Sequence, residues 1–275
     1  MQIQRVIERV AAEPRPLKFL AGVFLKRSGL GRVFTVRRNG YRLRFYPTSL
    51  SAAYWVNPKE RLEDEVALEG LLTPGGIFVD VGANIGALTL RAAAIVGTQG
   101  QVHSFEPHPR IFEYLRRNVA LNSAGQVQTY CCALGETNGA IEFSDRRADD
   151  MNQVVSSGGV SVPVKRLDDM LPKSGLAITL LKIDAEGFEL PVLHGAKETL
   201  KRTRAVYFEA WEQQYRAFGY GTADVIRFLR QQNFMAYRRE GQQWLALSDA
   251  YTAEHCENLL ALPKGHAPGF VSQAP

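Results

Sequence analysis

The run Gly76-Ile77-Phe78-Val79-Asp80-Val81-Gly82-Ala83-Asn84-Ile85-Gly86-Ala87-Leu88-Thr89-Leu90 sets two structural periods back to back. Ile77 to Val81 is apolar except for one acid, Asp80, and predicts a buried parallel strand. Small and polar turn residues follow. Ile85, Leu88, Leu90 and Ala92–Ala94 then predict an apolar helix. Strand, glycine turn and helix is the arrangement by which α/β folds offer a helix N-terminus to a negatively charged ligand group. Gly82 and Gly86 let the backbone turn sharply and let a ligand approach with no Cβ in the way.

The loop chemistry narrows the ligand. A dinucleotide loop requires G-x-G-x-x-G packed on a pyrophosphate. Here Asn84 stands where the second glycine would be, and Asp80 precedes the turn. An acid there would repel a pyrophosphate but suits a ligand with an ammonium group. The D-x-G-x-N-x-G run, with Asp80, Gly82, Asn84 and Gly86, resembles the cofactor loop of class I S-adenosylmethionine-dependent methyltransferases. The plainer alternative is a glycine turn that only joins a strand to a helix.

Outward from this run, the chain alternates strand and helix. Gln101–Phe105 predicts a second strand ending at Glu106-Pro107, and a helix follows from His108 to Asn122. Val127–Cys132 predicts the third strand. Ile141–Ser144 and Val160–Lys165 predict an antiparallel pair around loop 145–159. Ile178–Ile183 predicts the fourth core strand, with a helix from Glu189 to Lys201 behind it. Ala205–Phe208 is the fifth, ending at Glu209. A helix over Asp224–Gln232 and a hairpin of Phe234–Arg238 with Trp244–Leu247 close the pattern. The expected fold is α/β: a Rossmann-like, doubly wound, mostly parallel sheet with an antiparallel closing hairpin.

Upstream, residues 2–12 and 16–28 predict helices. Val33–Arg37 and Tyr41–Tyr46 flank Asn39-Gly40, a two-residue hairpin signal. Asn57-Pro58 predicts the cap and first turn of a helix reaching Leu72. Residues 1–70 are therefore expected to be a basic helix and hairpin extension, too small to fold alone. Residues 71–250 would form the main domain and 251–275 a C-terminal tail, loosest from 263 onward.

Charge is uneven along the 275 residues. Residues 1–50 hold eleven Lys/Arg against Glu8 and Glu13, a balance of +9, so the remainder must be −4 to give the overall +5. Leu17, Leu20, Ala21 and Phe24 fall at helical spacing beside Lys18, Lys26 and Arg27. Such a segment can lie on an anionic membrane, hold an anionic substrate, or pack on the main domain with its charges solvated. The last is the expectation. No nucleic-acid-reading motif accompanies the basic charge, so nucleic acid is not an expected partner. Cys131, Cys132 and Cys256 fit neither a disulfide framework nor a zinc spacing. The adjacent pair would point to opposite faces of a strand. Met1 to Glu13 is polar and amphipathic, and the apolar run Phe19 to Leu25 is far shorter than the roughly 20 residues of a membrane span. The expected compartment is the cytoplasm, with peripheral membrane contact through residues 1–50 as the variant reading.

Four acids, Asp80, Glu106, Asp184 and Glu209, each terminate a predicted strand, at the edge where ligands bind in such sheets. One strand-end acid is commonly a cap or loop residue. Four on one edge carry repulsion and desolvation costs that a cationic ligand, a ribose or a metal ion would offset. Glu106 lies 24 residues beyond Gly82, near the spacing of an acid that binds a ribose diol.

Three blocks in order make the resemblance specific. Phe78 to Gly86 comes first, then Phe105-Glu106-Pro107. The third is Lys182-Ile183-Asp184-Ala185-Glu186-Gly187-Phe188-Glu189, with Val192-Leu193-His194-Gly195-Ala196 behind it. Together they resemble the FkbM family of methyltransferases over roughly residues 58–240, and the D-x-E-G-x-E block is the most particular. The resemblance implies methyl transfer from S-adenosylmethionine to a hydroxyl, often of a sugar or a polyketide. It implies that Asp80 and Gly82 lie by the methionine end, with N–H groups of Ala83, Asn84 and Gly86 open to its carboxylate. Glu106 would hold the ribose, and the turn with Ala133 and Leu134 would border the adenine. Asp184, as the general base, and Glu186 would face the acceptor. A variant makes Asp184 and Glu209 ligands of a divalent ion. His194 falls on a helix well past the strand end and is not assigned a role, and His108 serves equally well as a helix-start residue. The N-terminal extension and loop 145–159 match no pattern of the family and are expected to set substrate choice. Two other readings stand beside this one. One is an oxidoreductase using NAD or a nucleotide sugar, which the missing second glycine and Asp80 disfavour. The other is a non-catalytic binding module, which would have no use for the strand-end acids.

Overall fold

Ile77–Val81 folds as the expected strand, and the elements on either side are placed by it. The computed structural model describes residues 15–28, 30–144, 154–155, 158–172, 175–241 and 243–268. In chain order these begin with helix α1 (Pro16–Ser28), hairpin strands β1 (Thr35–Arg38) and β2 (Tyr41–Arg44), α2 (Ser49–Val56) and α3 (Leu62–Leu71). The central run is β3 (Ile77–Val81), α4 (Ala87–Val96), β4 (Gln101–Phe105), α5 (Pro109–Leu121) and β5 (Val127–Tyr130). Then come β6 (Ala133–Leu134), β7 (Gly139–Phe143), β8 (Val154–Val155), β9 (Val160–Lys165) and α6 (Leu167–Met170). The chain continues with β10 (Leu180–Ile183), α7 (Glu189–His194), α8 (Lys197–Leu200), β11 (Val206–Ala210), α9 (Glu212–Ala217) and α10 (Thr222–Gln231). It ends with β12 (Phe234–Glu240), β13 (Gln243–Ala246) and β14 (Glu257–Pro263).

The main sheet has eight strands in the order β13-β12-β14-β11-β10-β3-β4-β5, and β11, β10, β3, β4 and β5 are parallel. The chain winds outward from β3 to β5, then returns to β10 on the other side of β3. The boundary between β3 and β10 is thus the topological switch point, where a crevice opens beyond the strand ends. Side chains along β3 alternate between two cores, as the two-residue period requires. Val79 and Val81 pack with Ile183, Phe208, Val192 and Leu229, whereas Phe78 packs with Leu180, Val102, Leu68 and Val96. A second sheet has the order β6-β9-β7-β8.

Several expectations need correction. The tail from 251 contains a full strand: β14 pairs antiparallel with both β11 and β12, so it lies inside the sheet and separates the hairpin β12–β13 from the parallel strands. Its run Leu259-Leu260-Ala261-Leu262 is buried, but its partners are far away in sequence. The helix expected from Pro58 begins only at Leu62. A residue before proline is pushed out of the α region, so Asn57 (φ −109°, ψ 108°) ends the unforeseen helix α2 instead of opening the next one. The third strand stops at Tyr130, which leaves Cys131 and Cys132 outside it. The long helix from Glu189 breaks at Gly195, where a Cβ would lie 2.0 Å from the carbonyl oxygen of Gly135. Glu209 lies within β11 rather than at its end. Residues 2–12 and most of loop 145–159 lie outside the described residues.

The N-terminal extension is joined to the sheet by buried polar contacts. Glu65, fully buried on α3, pairs with Arg38 at 3.1 Å and accepts from the Tyr41 hydroxyl at 2.7 Å. Asp64 accepts from Tyr207 of β11 (2.9 Å) and from Asn258 of β14 (2.8 Å). The side chains of Asn118 in α5 and of Asn122, which follows it, accept from the backbone of Arg44 and Arg42. Buried polar groups cost free energy unless bonded, so these contacts fix α3 against the sheet and carry Arg61 to the switch point.

Candidate active site

The turn after β3 is built on glycine for steric reasons. Gly82 has φ 75°, and a Cβ there would lie 1.8 Å from the carbonyl oxygen of Asp184. At Gly86 (φ 90°) a Cβ would meet Leu115 Cδ1 at 2.6 Å. The loop's own N–H groups are not open to a ligand as expected. Gly82 and Ala83 donate to the carbonyl of Phe105, Gly86 donates to that of Ala83, Asn84 N–H donates to Glu106 Oε2, and Ile85 N–H donates to Asn84 Oδ1. The nearest donors without an intrahelical acceptor lie one step later, in the first turn of α4.

Beyond these strand ends lies a cleft with about 990 Å³ of empty space, open mouth included, at the upper end of the roughly 300–1,000 Å³ of ordinary ligand sites. Gly82, Ala83, Asn84, Ala87 and Leu88 line one part, Cys132, Ala133 and Leu134 an apolar wall, and Asp184 and Glu186 another part. Glu106 also faces the cleft. Its carboxylate accepts one N–H at each oxygen, from Asn84 and His108, both at 2.9 Å. These backbone bonds fix the carboxylate at the cleft, and a ribose diol is the kind of group such an acceptor binds. The Glu106 carboxylate and the neighbouring apolar wall fit a ligand that carries hydroxyls beside an apolar ring system, such as a purine nucleoside. His108 caps α5 by accepting from Arg110 N–H, and His194 lies 3.4 Å from Glu136, away from the cleft lining.

Asp80 is not where the sequence suggested. It is fully buried and absent from the cleft lining; Thr89 donates to its Oδ2 at 2.6 Å and Lys182 Nζ lies 3.2 Å from its Oδ1. Lys182 is directly opposite Asp80 in the sheet, also pairs with Asp184 at 3.5 Å, and donates to the carbonyls of Val81 and Gly82. Burial alone would lower the Lys182 pKa, but the two carboxylates outweigh it and raise the pKa. Asp80 therefore anchors the turn through Lys182 and does not face a ligand ammonium.

Asp184 follows β10 and is held by two cations, Lys182 and Arg61, the latter at 3.3 Å. Burial pushes its carboxyl upward, but Lys182 and Arg61 prevail and hold it below the ordinary aspartate value. A carboxylate so stabilised is a weak base, which weighs against the expected role of Asp184 in taking the acceptor's proton. Glu186 is the reverse case. It sits at φ 53°, uncommon for a residue with a Cβ, followed by Gly187 at φ 95°. Burial first, then the charges of Asp184 and Glu209, push its pKa up to about 8. The Asp184 charge first, then burial, pushes Glu209 to about 7. Gln214 Nε2 donates to Glu186 Oε2 at 2.6 Å and orients it. Oxygens of Asp184, Glu186 and Glu209 all lie within 4.8 Å of one another; Glu209 stands behind the lining and Glu186 in it.

Arg61, Lys182, and the α2 residues Leu50 and Tyr54 that complete the cleft were not found from sequence. Lys182 had a readable signal. It is the lone charge in an apolar strand and sits two residues before Asp184, hence on the same side. Arg61 had none, because its approach depends on a left-handed residue (φ 54°) at the start of α3.

The family model described as "Methyltransferase FkbM domain" matches residues 80–236, from Asp80 through the strand acids to the middle of β12. The chain belongs to the FkbM methyltransferase family. Among curated relatives it is 31% identical to methyltransferase sdnD of Sordaria araneosa over 208 residues, covering 62% of this chain and 80% of sdnD. It is 28% identical to the 2-O-methyltransferase NoeI of Sinorhizobium fredii over 162 residues, 51% of this chain, and spans 65% of NoeI's length. The hexuronic acid methyltransferase AglP of Haloferax volcanii is 26% identical, with 68% of this chain and 78% of AglP covered.

Proposed function

We propose that this FkbM methyltransferase uses S-adenosylmethionine to methylate a hydroxyl, most naturally a sugar hydroxyl. The observation that carries the reading is one cleft holding two carboxylates of opposite character. Glu106 is fixed by two backbone donors beside the glycine turn, and Glu186 is poised near neutral pH beside Asp184. The names of NoeI, a 2-O-methyltransferase, and AglP, acting on a hexuronic acid, support an oxygen acceptor on a sugar.

When bound, S-adenosylmethionine supplies a sulfonium methyl group already activated for transfer. In this reading Glu106 accepts the ribose hydroxyls and the Cys132–Leu134 wall holds the adenine. N–H groups of Ala87 and Leu88, in the first turn of α4, replace those of Ala83–Gly86 as donors to the carboxylate. A sugar hydroxyl is a poor nucleophile, so the protein's part is alignment and removal of one proton. Glu186 takes that proton from the acceptor oxygen. Asp184, ionised and pinned by Lys182 and Arg61, stays charged and keeps Glu186 basic.

The cofactor half is tested by calorimetry on Glu106→Ala. Two hydroxyls bonded to a carboxylate are worth at most about 1.5–3 kcal/mol each, so affinity for S-adenosylmethionine should fall at least about tenfold. Wild-type affinity in a folded Glu106→Ala protein would show that the ribose is held elsewhere.

The oxygens of Asp184, Glu186 and Glu209 also form a set that a hard divalent cation can share, which favours a second reading in which the ion acidifies the acceptor. The readings separate with a chelator. Turnover with Glu186 as a direct base is unchanged by EDTA, whereas an ion-dependent site loses turnover and regains it with Mg²⁺.

A further inference from the structure

We infer that α1 and the turn after it form a docking surface for an anionic membrane. From Pro14 to Lys59 the sequence contains no Asp or Glu. α1 buries Gly22 and Leu25 against α2, where the Trp55 indole N–H donates to the carbonyl of Lys18 at 3.1 Å. The opposite face of α1 is apolar and open. Leu17, Leu20 and Phe24, spaced by three and four residues and so on one side of the helix, are 82%, 47% and 61% exposed. Leu30 and Val33, one turn apart in the 3₁₀ turn Leu30–Val33 that packs against α1, are exposed as well. Exposed contiguous apolar surface of this kind marks an interaction site rather than scattered hydrophobes.

The surrounding charge selects the partner. Arg27, Arg32 and Arg37 are exposed, whereas Arg15 and Lys18 lie toward α2, Arg15 donating to the Val56 carbonyl and Lys18 standing over the Trp55 ring. Other cations of the extension have structural work: Arg38 pairs with Glu65, Arg42 donates to the Leu121 carbonyl, and Lys26 donates to Ser49. Among the described residues no carboxylate pairs with Arg27, Arg32 or Arg37. Exposed apolar side chains accompanied by these unpaired cations, in a segment with no acid between Pro14 and Lys59, match a surface with an anionic rim and an apolar interior, which is the headgroup and acyl boundary of a bilayer. No helix among the described residues is long and apolar enough to cross a membrane, so the contact is peripheral. α2, directly beneath α1, lends Leu50 and Tyr54 to the cleft. Docking would therefore bring the cleft within about one helix layer, 8–10 Å between axes, of the helix on the lipid.

The test is flotation of the full chain with vesicles of phosphatidylcholine alone and of phosphatidylcholine with about three-tenths phosphatidylserine, at low and at physiological salt. It uses neither acceptor nor cofactor, so its outcome is independent of the methyl-transfer reading. The expected result is binding to the anionic vesicles at least about tenfold stronger than to the neutral ones, weakening as salt shortens the screening length to about 8 Å. The triple variant Leu17→Ser, Leu20→Ser, Phe24→Ser should keep the wild-type melting temperature, because these side chains are exposed, yet lose binding. Equal recovery on both vesicle types, or recovery on neither, overturns the proposal. Undiminished anionic binding by the triple variant overturns it in favour of a simple polyanion site. A wild-type dimer that the triple variant dissolves, without vesicle binding, overturns it in favour of a second copy of the chain.

Discussion

Glu186→Gln should bind S-adenosylmethionine nearly as wild type does and transfer methyl at least about a hundredfold more slowly, since a positioned general base contributes about 10²–10⁴ in rate. The substitution keeps the shape of the side chain beside Gln214 and removes only the ionisable oxygen. The pH profile carries the same claim. A base acts when deprotonated, and burial and neighbouring carboxylates raise Glu186 to about 8 and Glu209 to about 7. kcat/KM, which reports the free enzyme, should therefore rise with pH across about 7–8 as this pair titrates. Stability moves the other way. Both acids hold their protons more tightly folded than unfolded, so their contribution is complete below the unfolded value near 4.5 and is lost as pH rises through about 7 and 8. Near-wild-type turnover by a folded Glu186→Gln protein, or a kcat/KM that is flat over that range, would remove Glu186 from the chemistry.

Lys182→Met should cost about 3–5 kcal/mol of folding stability, the usual penalty for removing one partner of a buried ion pair. Lys182 and Asp80 have side chains 6% and 0% exposed, and Lys182 also holds the carbonyls of Val81 and Gly82. Without it, Asp80 is a buried charge whose remaining side-chain partner among the described residues is the Thr89 hydroxyl. Chemical denaturation measures the loss, and the added substitution Asp80→Asn should recover part of it by removing the stranded charge. A loss below about 1 kcal/mol would mean that the pair is not buried in solution as it is here. Because the same lysine fixes the Gly82 turn, cofactor affinity should fall in parallel.

Much of this could be read from the chain because the relevant signals are local. The strand, turn and helix from Gly76 to Leu90, the hairpin at Asn39-Gly40, and the acids at strand ends each depend on neighbours a few residues apart. Glu106, Ala133, Leu134, Asp184 and Glu186 do gather at one cleft. What failed depended on distant partners. β14 resembles a tail until β11 and β12 flank it. Asp80 resembles a ligand-facing acid until Lys182 arrives from β10. The proposed base moves from Asp184 to Glu186 because of contacts the motif alone does not show. Both are acids in the same motif, and the approach of Lys182 and Arg61 to Asp184 sets its environment apart from that of Glu186.

The most direct measurement of the central claim is transfer of a labelled methyl group from S-adenosylmethionine to a panel of glycans and glycolipids, followed by mild alkali. A methyl ether on a hydroxyl survives that treatment and a methyl ester does not. The account predicts label in an alkali-stable product with the wild-type protein, and none above background with Glu186→Gln. Label that alkali releases would place the methyl on a carboxylate. Absence of S-adenosylmethionine binding by the folded wild-type protein would contradict the account at its root.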